Sequence, residues 1–389
     1  MYRPFDFIQV IVFALAEWRI SVLLARAARR RFTGRALKAA RTAIAAFNVL
    51  LAIGFVFTSS EVVSVAPVPP RLAMILGAFT LGYLIAATVV LALYTVIAAL
   101  RRQFGADLDP SRRRALNALS GGLLATPVAA LGYGAFVERL DFRLREVDLP
   151  FHGLSPDLDG LRLLQLSDIH LSPFLSEGDL ARVIDASNEL RPHLTLITGD
   201  LITSRGDPLG ACIRQLARLR SDAGSFGCLG NHERYARVED LATAEAARAG
   251  IRFLRHQAQA LRFGSATLNL AGVDFYSLFH KDRYLRGAEK LVAPGAFNLL
   301  LSHNPDVFPV AARQGYHLLL AGHTHGGQVT VEILDQQLNP ARFFTPYVYG
   351  AYRIGQAAAY VTRGIGTIGI PARVGAPPEI SLLRLRKVK

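Results

Sequence analysis

The chain has 389 residues, of which 51% are hydrophobic, and its mean hydropathy of +0.28 is high for a soluble protein, so membrane segments are expected. Its only cysteines are Cys212 and Cys228. They are too few for a disulfide framework, and the apolar run around Cys228 favours a buried free thiol. The formal net charge is +14, which also suits a nucleic-acid-binding protein, so the positions of the arginines decide what the charge means.

The first 140 residues contain apolar runs at residues 7–24, 42–59, 72–100 and 115–137. The run at 72–100 carries no charge and is long enough to cross a bilayer with some tilt. Glu17 and Arg19 interrupt the first run, which either spans with both charges facing other helices or lies in the interface as an amphipathic helix. We favour spanning and predict an all-α transmembrane domain of about four helices over residues 1–140.

The arginines of this domain cluster in the loops at 26–41 and 101–114, whereas the loop at 59–71 is nearly uncharged. Because basic loops stay in the cytoplasm, we expect the two arginine-rich loops there and everything after residue 140 on the extracytoplasmic side of the cell membrane. The protein is then a multi-pass protein of the inner (cytoplasmic) membrane. Since the arginines are placed at the membrane, no nucleic-acid partner is expected.

From residue 161 onwards, short apolar runs alternate with helix-like stretches such as 176–189 and 239–249. The strand-like runs are 161–166, 194–198, 226–229, 268–273, 297–301, 318–321, 358–362 and 380–385. Strands that alternate with helices indicate an α/β domain. We predict this domain over residues 159–389, joined to the membrane domain by a linker over residues 141–158.

Five of the strand-like runs end in a polar motif framed by glycine or serine. The side chains concerned are Asp168 and His170; Asp200; Asn231, His232 and Glu233; His303; and His323 and His325. Ligands gather beyond the carboxyl ends of strands in open α/β sheets, so these side chains are expected to converge. Imidazole suits several transition metals. Each motif is weak alone, but the ordered set indicates a metal site.

The order D-x-H, G-D, G-N-H-[DE], a lone His and G-H-x-H resembles the calcineurin-like metallophosphoesterase superfamily over about residues 160–389. The tail at 362–373, followed by 376–380, resembles the bacterial membrane-anchored YkuE/YaeI-like branch of that superfamily. The resemblance implies a sandwich of two mixed β-sheets flanked by helices, here preceded by the transmembrane bundle.

The resemblance also implies two divalent metal ions (Mn, Fe or Zn). One is assigned Asp168, His170 and His325; the other is assigned Asn231, His303 and His323; Asp200 bridges them. Two divalent ions held by only two carboxylates leave the site about two charges positive, which favours an anionic, phosphorylated substrate.

His232 follows a predicted ligand, and the resemblance implies that it lies beside the metals as the general acid for the leaving alkoxide. The alternative is that His232 only orients a ligand. Glu233 is expected to orient or cap, and Asp274 is given no role. The arginine- and aromatic-bearing segment 342–352 either receives a lipid or sugar phosphate near the bilayer or packs as a cover over the sheet.

These features together predict a membrane-anchored, dinuclear metal-dependent phosphoesterase of the phosphodiesterase type. Its substrates would be phosphodiester or pyrophosphate bonds of lipid or envelope components. Two alternatives stay open: a catalytically silent membrane-bound sensor or binding module with the same fold, and a nucleotide phosphodiesterase. The complete set of seven ligands together with His232 argues against the silent module.

Overall fold

The computed structural model describes residues 4–59, 62–63, 67–104, 109, 111, 122–124, 126–277, 280–333 and 336–388. Two compact units divide the chain. One comprises Met1–Ala135 with Gly369–Ala372, and the other comprises Phe136–Ile368 with Arg373–Lys389. We call them the membrane unit and the catalytic-fold unit.

The membrane unit is built from long apolar helices. Its helices are α1 (Pro4–Arg31), α2 (Gly34–Val56) and α3 (Pro70–Phe104), and α4 (Thr126–Phe136) follows at its end. Within the described residues, three stretches are long and apolar enough to cross a membrane: Ile8–Arg31, Gly34–Val56 and Pro70–Leu100. The first run therefore has the length and composition predicted for a span. The fourth predicted run, 115–137, lies largely outside the described residues.

Glu17 in the first helix is hydrogen-bonded to side chains of α1 and α3. Glu17 is buried and accepts hydrogen bonds from Tyr83 Oη at 3.0 Å and from Ser21 Oγ at 3.3 Å, while Asn48 Nδ2 donates to Ser21 Oγ at 2.8 Å. An ionisable group inside an apolar bundle needs such partners. The polar contacts thus join α1, α2 and α3.

The catalytic-fold unit contains two six-stranded sheets and a short hairpin. The strands are β1 (Arg143–His152), β2 (Arg162–Leu166), β3 (Leu194–Thr198), β4 (Ser225–Cys228), β5 (Ile251–Phe253), β6 (Gln257–Phe263), β7 (Ala266–Gly272), β8 (Phe297–Leu301), β9 (Leu318–Ala321), β10 (Val331–Ile333), β11 (Gln336–Leu338), β12 (Gly350–Ile354), β13 (Ala357–Val361) and β14 (Glu379–Val388). The sheet orders are β1-β14-β2-β3-β4-β5 and β12-β13-β9-β8-β7-β6. Both sheets are mixed: β2 to β5 and β7-β8-β9-β13 run parallel, while β14–β2, β6–β7 and β12–β13 are antiparallel.

Alternating side chains divide each central strand between two cores. Leu163 and Leu196 pack with Leu299 and Leu320 between the two sheets. The next residues along the strands, such as Leu164, belong to the outer clusters beneath the helices. Those flanking helices are α5 (Glu177–Glu189), α6 (Leu209–Leu216), α7 (Asn231–Ala236), α8 (Glu239–Arg248) and α9 (Phe308–Gln314). The two-sheet sandwich flanked by helices is therefore confirmed.

Strand β1 corrects the prediction that residues 141–158 form a linker. It pairs in parallel with β14 from Arg143↔Glu379 to His152↔Val388. Seven of its ten side chains are exposed and four of these are charged, as suits an edge strand, and Pro150 is tolerated there because an edge needs fewer backbone donors. Only Leu149 and Phe151 are buried large side chains, so the alternation is too short to read as a strand. The remaining domain boundaries stay a prediction.

Candidate metal centre

The predicted site residues lie directly after five strands of the two sheets. Asp168 and His170 follow β2, Asp200 follows β3, Asn231 and His232 follow β4, His303 follows β8, and His323 and His325 follow β9. Within each sheet these strands are parallel, so their carboxyl ends share one edge. The two edges contribute side chains to one cluster.

The backbone at this cluster is strained. Asp168, His170, Asp200, His323 and His325 all have left-handed φ values, between 47° and 74°. Such a conformation costs a non-glycine residue about 1–3 kcal/mol and persists only where surrounding contacts enforce it. Here the enforcing contacts include Asp168 N to Gly199 O and His170 N to Asp200 O, both 3.0 Å. Backbone strain of this kind clusters at functional sites.

Potential metal-binding atoms come together in overlapping groups. Each group has its ligand atoms within 4.8 Å of one another: Asp168, His170 and His325; His170, Asp200 and His232; and Asp200, His303 and His323. Asp200 Oδ2 lies 3.5 Å from His170 Nε2 and 3.0 Å from His303 Nε2. Asp168 Oδ1 lies 3.2 Å from His325 Nε2. The carboxylate of Asp200 thus joins two groups of histidines.

Asn231 enters the cluster through the turn before α7. Its Oδ1 atom is buried, and the next residue donates its backbone N–H to Asp200 Oδ1 at 2.9 Å. Gly230 precedes it because a Cβ there would lie 2.1 Å from the same oxygen. A side chain at position 230 would therefore push Asp200 out of the cluster.

The residues fit a metal centre by a test independent of their spacing. His170 Nε2 and Asn231 Oδ1 are buried and make no hydrogen bond with the described residues. A buried polar atom without a partner costs free energy. These atoms are also donors that divalent transition metals take. Bound metal ions would satisfy both.

The electrostatics prepare most of the histidines to be ligands. Burial lowers the pKa of His170 and of His323 to about 3, and burial together with His170 and Arg373 lowers the pKa of His325 well below its usual value. These three rings are therefore neutral at pH 7, which is the form that binds metal.

The acids and His303 form a coupled set. Burial opposes charge on Asp200, but His303, followed by His170, holds the pKa of Asp200 well below its usual range. Burial lowers the pKa of His303 but Asp200 and Asp168 outweigh it, so the net result is a pKa of about 10. Burial also raises the pKa of Asp168 to about 6. Without a metal, a proton on His303 neutralises part of the acidic charge.

Backbone carbonyls orient two of the rings. His303 Nδ1 lies 2.6 Å from Thr198 O, and His232 Nδ1 lies 2.6 Å from Thr203 O. Each carbonyl accepts a hydrogen bond from a protonated Nδ1. The Nε2 atom of each ring is therefore not used for this contact. The ring of His232 packs edge-on against His170, with centroids 4.7 Å apart, and it is partly exposed. It borders the cluster from the solvent side.

Glu233 orients the backbone turns that bear the site residues, as was expected of it. Its fully buried carboxylate accepts from Gly230 N at 2.7 Å, from Asp200 N at 3.0 Å and from Leu201 N at 2.7 Å. It therefore ties the turn after β3 to the turn after β4.

Arg373 is a supporting residue to which the sequence analysis assigned no role. It is fully buried and donates to Gly366 O at 3.0 Å, Ala376 O at 2.9 Å and Arg363 O at 2.8 Å. Burial lowers its pKa to about 10. The sequence of the tail at 362–373 indicated a resemblance to one branch of the family. It did not indicate which carbonyls Arg373 binds, because these contacts depend on the folded loop.

Asp274, which was given no role in the site, pairs with Arg255 at 3.0 Å.

A cavity of about 200 Å³ adjoins His323. Its lining residues are Asn304, Pro305, Asp306, His323, Thr324, Ala341, Phe344 and Thr345. In the adjoining segment 342–352, Phe343 is 90% exposed and Phe344 is 74% exposed, whereas Thr345 and Val348 are buried. The buried part of the segment therefore packs on the fold, and the exposed Phe344 lines the cavity. The reception of a lipid or sugar phosphate stays a prediction.

Comparisons with known proteins identify a phosphoesterase family and several relatives of the chain. The calcineurin-like phosphoesterase family matches residues 161–327. The chain is 30% identical over 286 residues to the metallophosphoesterase YkuE of Bacillus subtilis, covering 71% of this chain and 98% of YkuE. It is 29% identical over 278 residues to the phosphodiesterase YaeI of Escherichia coli, covering 71% and 99% respectively.

One vertebrate relative is named as a transmembrane protein. The chain is 29% identical over 297 residues to a transmembrane protein with metallophosphoesterase domain from Bos taurus. That match covers 72% of this chain and 65% of the bovine protein, slightly less than two thirds of its length.

Proposed function

Because this chain belongs to the calcineurin-like metallophosphoesterase family, in the bacterial branch with YkuE and YaeI, we propose that it hydrolyses phosphodiester or pyrophosphate bonds with two divalent metal ions. The observation that carries the proposal is the position of Asp200, whose carboxylate joins two groups of histidines. A carboxylate shared in this way suits a two-metal hydrolase.

The proposed ligand assignment is the one that the family resemblance implies, and the close groups of donor atoms support it. Asp168, His170 and His325 would hold one ion, and Asn231, His303 and His323 would hold the other. Asp200 would be shared between them. Imidazole, carboxylate and amide donors together suit Mn, Fe or Zn.

Bound metal ions would polarise the phosphoryl oxygens and lower the pKa of a coordinated water. The protein's own residues keep the donors in place: Glu233 fixes the turn that bears Asp200, and Thr198 O fixes the ring of His303. The strained backbone keeps the ligands aimed before substrate arrives, so little reorganisation is needed during the reaction.

His232 is proposed as the general acid. The Thr203 carbonyl accepts from its Nδ1, so in the protonated ring Nε2 carries the second proton and can donate it to the leaving oxygen. Its ring is partly exposed beside the buried His170, which suits contact with a substrate entering from solvent.

We propose that the substrate is linked to a lipid or another envelope component. Three helices of membrane-spanning length precede the catalytic fold, and confinement at a bilayer raises the effective concentration of membrane-bound substrates. The exposed Phe343 and Phe344 offer apolar surface beside the cavity at His323. The proposed location of the catalytic fold is extracytoplasmic, because the arginine-rich loops favour the cytoplasm.

The test uses the full-length protein in detergent, stripped of metal and reloaded with manganese or zinc. Hydrolysis of bis(p-nitrophenyl) phosphate that requires metal would support the proposal. Full metal loading without turnover of any phosphodiester, pyrophosphate or monoester would instead favour the silent sensor or binding module.

The substrate class is tested by comparing kcat/KM for a lipid-linked phosphodiester in mixed micelles with that for a water-soluble analogue with the same scissile bond. We expect the lipid form to be preferred, and replacing both Phe343 and Phe344 by serine to lower only the lipid reaction. Leu241→Ser, at another exposed apolar position, is the matched control. Equal turnover of both substrates, or better turnover of nucleotide substrates, would contradict the lipid assignment.

A further inference from the structure

Arg363 leaves its strand at the same edge as the metal cluster. Strand β13 runs parallel to β9, with Val361 opposite Ala321. The residues that follow these two positions, Arg363 and His323, therefore emerge side by side at the carboxyl ends of the two strands.

The side chain of Arg363 lies over the loop that carries the histidine pair. A Cβ placed on Gly326 would lie 2.7 Å from Arg363 Cγ and 3.4 Å from its Nε. Gly326 directly follows His325. On the other side, a Cβ on Gly364 would lie 2.6 Å from Asp168 Cβ, so the backbone after Arg363 touches a second predicted ligand.

The guanidinium of Arg363 has no anionic partner among the described residues. Its Nε is buried and makes no hydrogen bond. Two other arginines of this unit are paired: the partly buried Arg255 binds the carboxylate of Asp274, and the fully buried Arg373 binds backbone carbonyls. A buried charged donor without an acceptor costs free energy, so an acceptor from outside the chain is the natural complement.

The unpaired guanidinium is nevertheless held in place. It stacks on the ring of Tyr349, with the central carbon 4.0 Å from the ring centroid. Burial and the neighbouring Glu379 raise the pKa of Tyr349, so that ring stays neutral. Below it, Arg373 donates to Arg363 O at 2.8 Å, and Glu379 N donates to Gly364 O at 3.0 Å. The cation is therefore preorganised, which reduces the entropy lost when it binds a ligand.

We propose that Arg363 binds the nonbridging oxygens of the substrate phosphate beside His325. The inference rests on the proposed phosphoesterase function and adds a residue to it. A guanidinium presents two parallel N–H groups that match two phosphate oxygens, and its charge stays fixed at every working pH. The alternative is that Arg363 only packs over Gly326 and supports the loop that bears His323 and His325.

The test measures the binding of inorganic phosphate, so that its readout does not depend on turnover. The full-length protein is loaded with manganese in detergent, and phosphate affinity is determined by isothermal titration calorimetry. Manganese content and Tm are measured on the same samples. The variants are Arg363→Ala, Arg363→Gln and Arg363→Lys. The matched control is Arg353→Ala, which removes an exposed arginine stacked on another aromatic ring, Phe151, at 5.6 Å.

We expect Arg363→Ala and Arg363→Gln to weaken phosphate binding about 10- to 100-fold, the range for losing a charge-assisted contact. Manganese content and Tm should stay at the wild-type level, Arg363→Lys should be intermediate, and Arg353→Ala should bind phosphate like the wild type. Wild-type phosphate affinity in a manganese-replete Arg363 variant would overturn the inference. Loss of manganese in all three variants would also overturn it, because the residue would then support the metal loop.

Failure of this inference can be told apart from failure of the proposed function. If the wild type binds phosphate in an Arg363-dependent way but hydrolyses no phosphoester, the function is wrong and the anion site stands. If the wild type hydrolyses phosphodiesters and Arg363→Ala changes neither phosphate affinity nor KM, the function stands and the assignment of Arg363 is wrong.

Discussion

Asp200 is the side chain on which the proposed centre depends, since its Oδ2 lies within 3.5 Å of histidines from both sheets. Asp200→Asn should therefore remove nearly all phosphodiesterase activity and at least one metal ion per chain. Metal content by mass spectrometry and hydrolysis of bis(p-nitrophenyl) phosphate check this. Asp274→Asn is the matched control, because Asp274 also follows a strand but pairs with Arg255. Full metal content and activity in Asp200→Asn would refute the bridging role.

His232 should behave differently from the ligands. His232→Ala is expected to keep both metal ions but to lower kcat about 10²- to 10⁴-fold for alkyl phosphodiesters, as loss of a general acid does. The loss should be smallest for p-nitrophenyl esters, whose leaving group needs no proton. Equal losses for the two kinds of substrate would indicate that His232 only orients its neighbours.

The pKa of His303 predicts how metal affinity depends on pH. In the metal-free protein that pKa is about 10, because Asp200 and Asp168 outweigh burial, so the ring is protonated at neutral pH. A metal binds only the neutral ring, so binding releases a proton below pH 10. Asp168, with a pKa of about 6, is already ionised above pH 7. Manganese affinity should therefore rise about tenfold per pH unit between pH 7 and pH 9.

Calorimetry in buffers of different ionisation enthalpy measures this proton directly. We expect about one proton released per chain when the site that contains His303 is filled. An affinity that is flat across pH 7–9 would mean that His303 is already neutral in the metal-free protein.

At the scale of single residues, the sequence predicted the cluster but not its support. Asp168, Asp200 and His303 were found because each follows an apolar run, and the carboxyl ends of parallel strands must meet. The roles of Arg373 and Thr203 could not be predicted in the same way. Arg373 acts through several backbone carbonyls and Thr203 through the ring of His232, and such contacts exist only once the loops are folded.

At the scale of elements, strand β1 should be necessary for stability because it covers the edge of the first sheet. Phe151 is buried, and its ring packs edge-on against Phe297 with centroids 5.0 Å apart. Phe151→Ala should lower the free energy of unfolding by about 3–5 kcal/mol. Leu144→Ala, on the exposed part of the same strand, should change it by less than about 0.5 kcal/mol. Thermal unfolding of the full-length variants measures both.

A linker over residues 141–158 would tolerate Phe151→Ala and Leu144→Ala equally, so equal unfolding temperatures would restore that reading. The prediction failed at β1 because its charges and Pro150 match the composition of a linker. The helix predicted at 176–189 was recognised because its start has a local cause. Ser176 Oγ accepts from Asp179 N at 3.1 Å, and the Asp179 carboxylate accepts from Ser176 N at 3.1 Å.

At the scale of the whole molecule, the orientation in the membrane is the main prediction. The loops rich in arginine predict that residues after 140 face outward. Cys212 and Cys228 are buried, so an introduced cysteine can be labelled against a low background. Ala258→Cys, at an exposed position of β6, should react with a membrane-impermeant maleimide in intact cells. Ala36→Cys, at the start of α2 within the arginine-rich segment 26–41, should react only after permeabilisation.

The reverse labelling pattern would place the catalytic fold in the cytoplasm. A reporter fused after Lys389 provides a second measurement, because a fluorescent protein that matures only in the cytoplasm should stay dark there. The sequence indicates the orientation only through the excess of basic residues in cytoplasmic loops. This excess acts during membrane insertion, so the contacts within the folded protein do not reveal the orientation.

Strand β14 has a consequence for how the chain is made. It follows every other strand in sequence, yet it lies inside the first sheet, between β1 and β2. The Arg384–Asp148 contact that joins it to β1 spans 236 residues. Until Glu379–Val388 are made, the first sheet therefore lacks the strand between β1 and β2, and pairings of such long range form slowly. A stop codon in place of Glu379 should be as damaging as the loss of the proposed metal ligands, because the truncated product stays exposed to proteases.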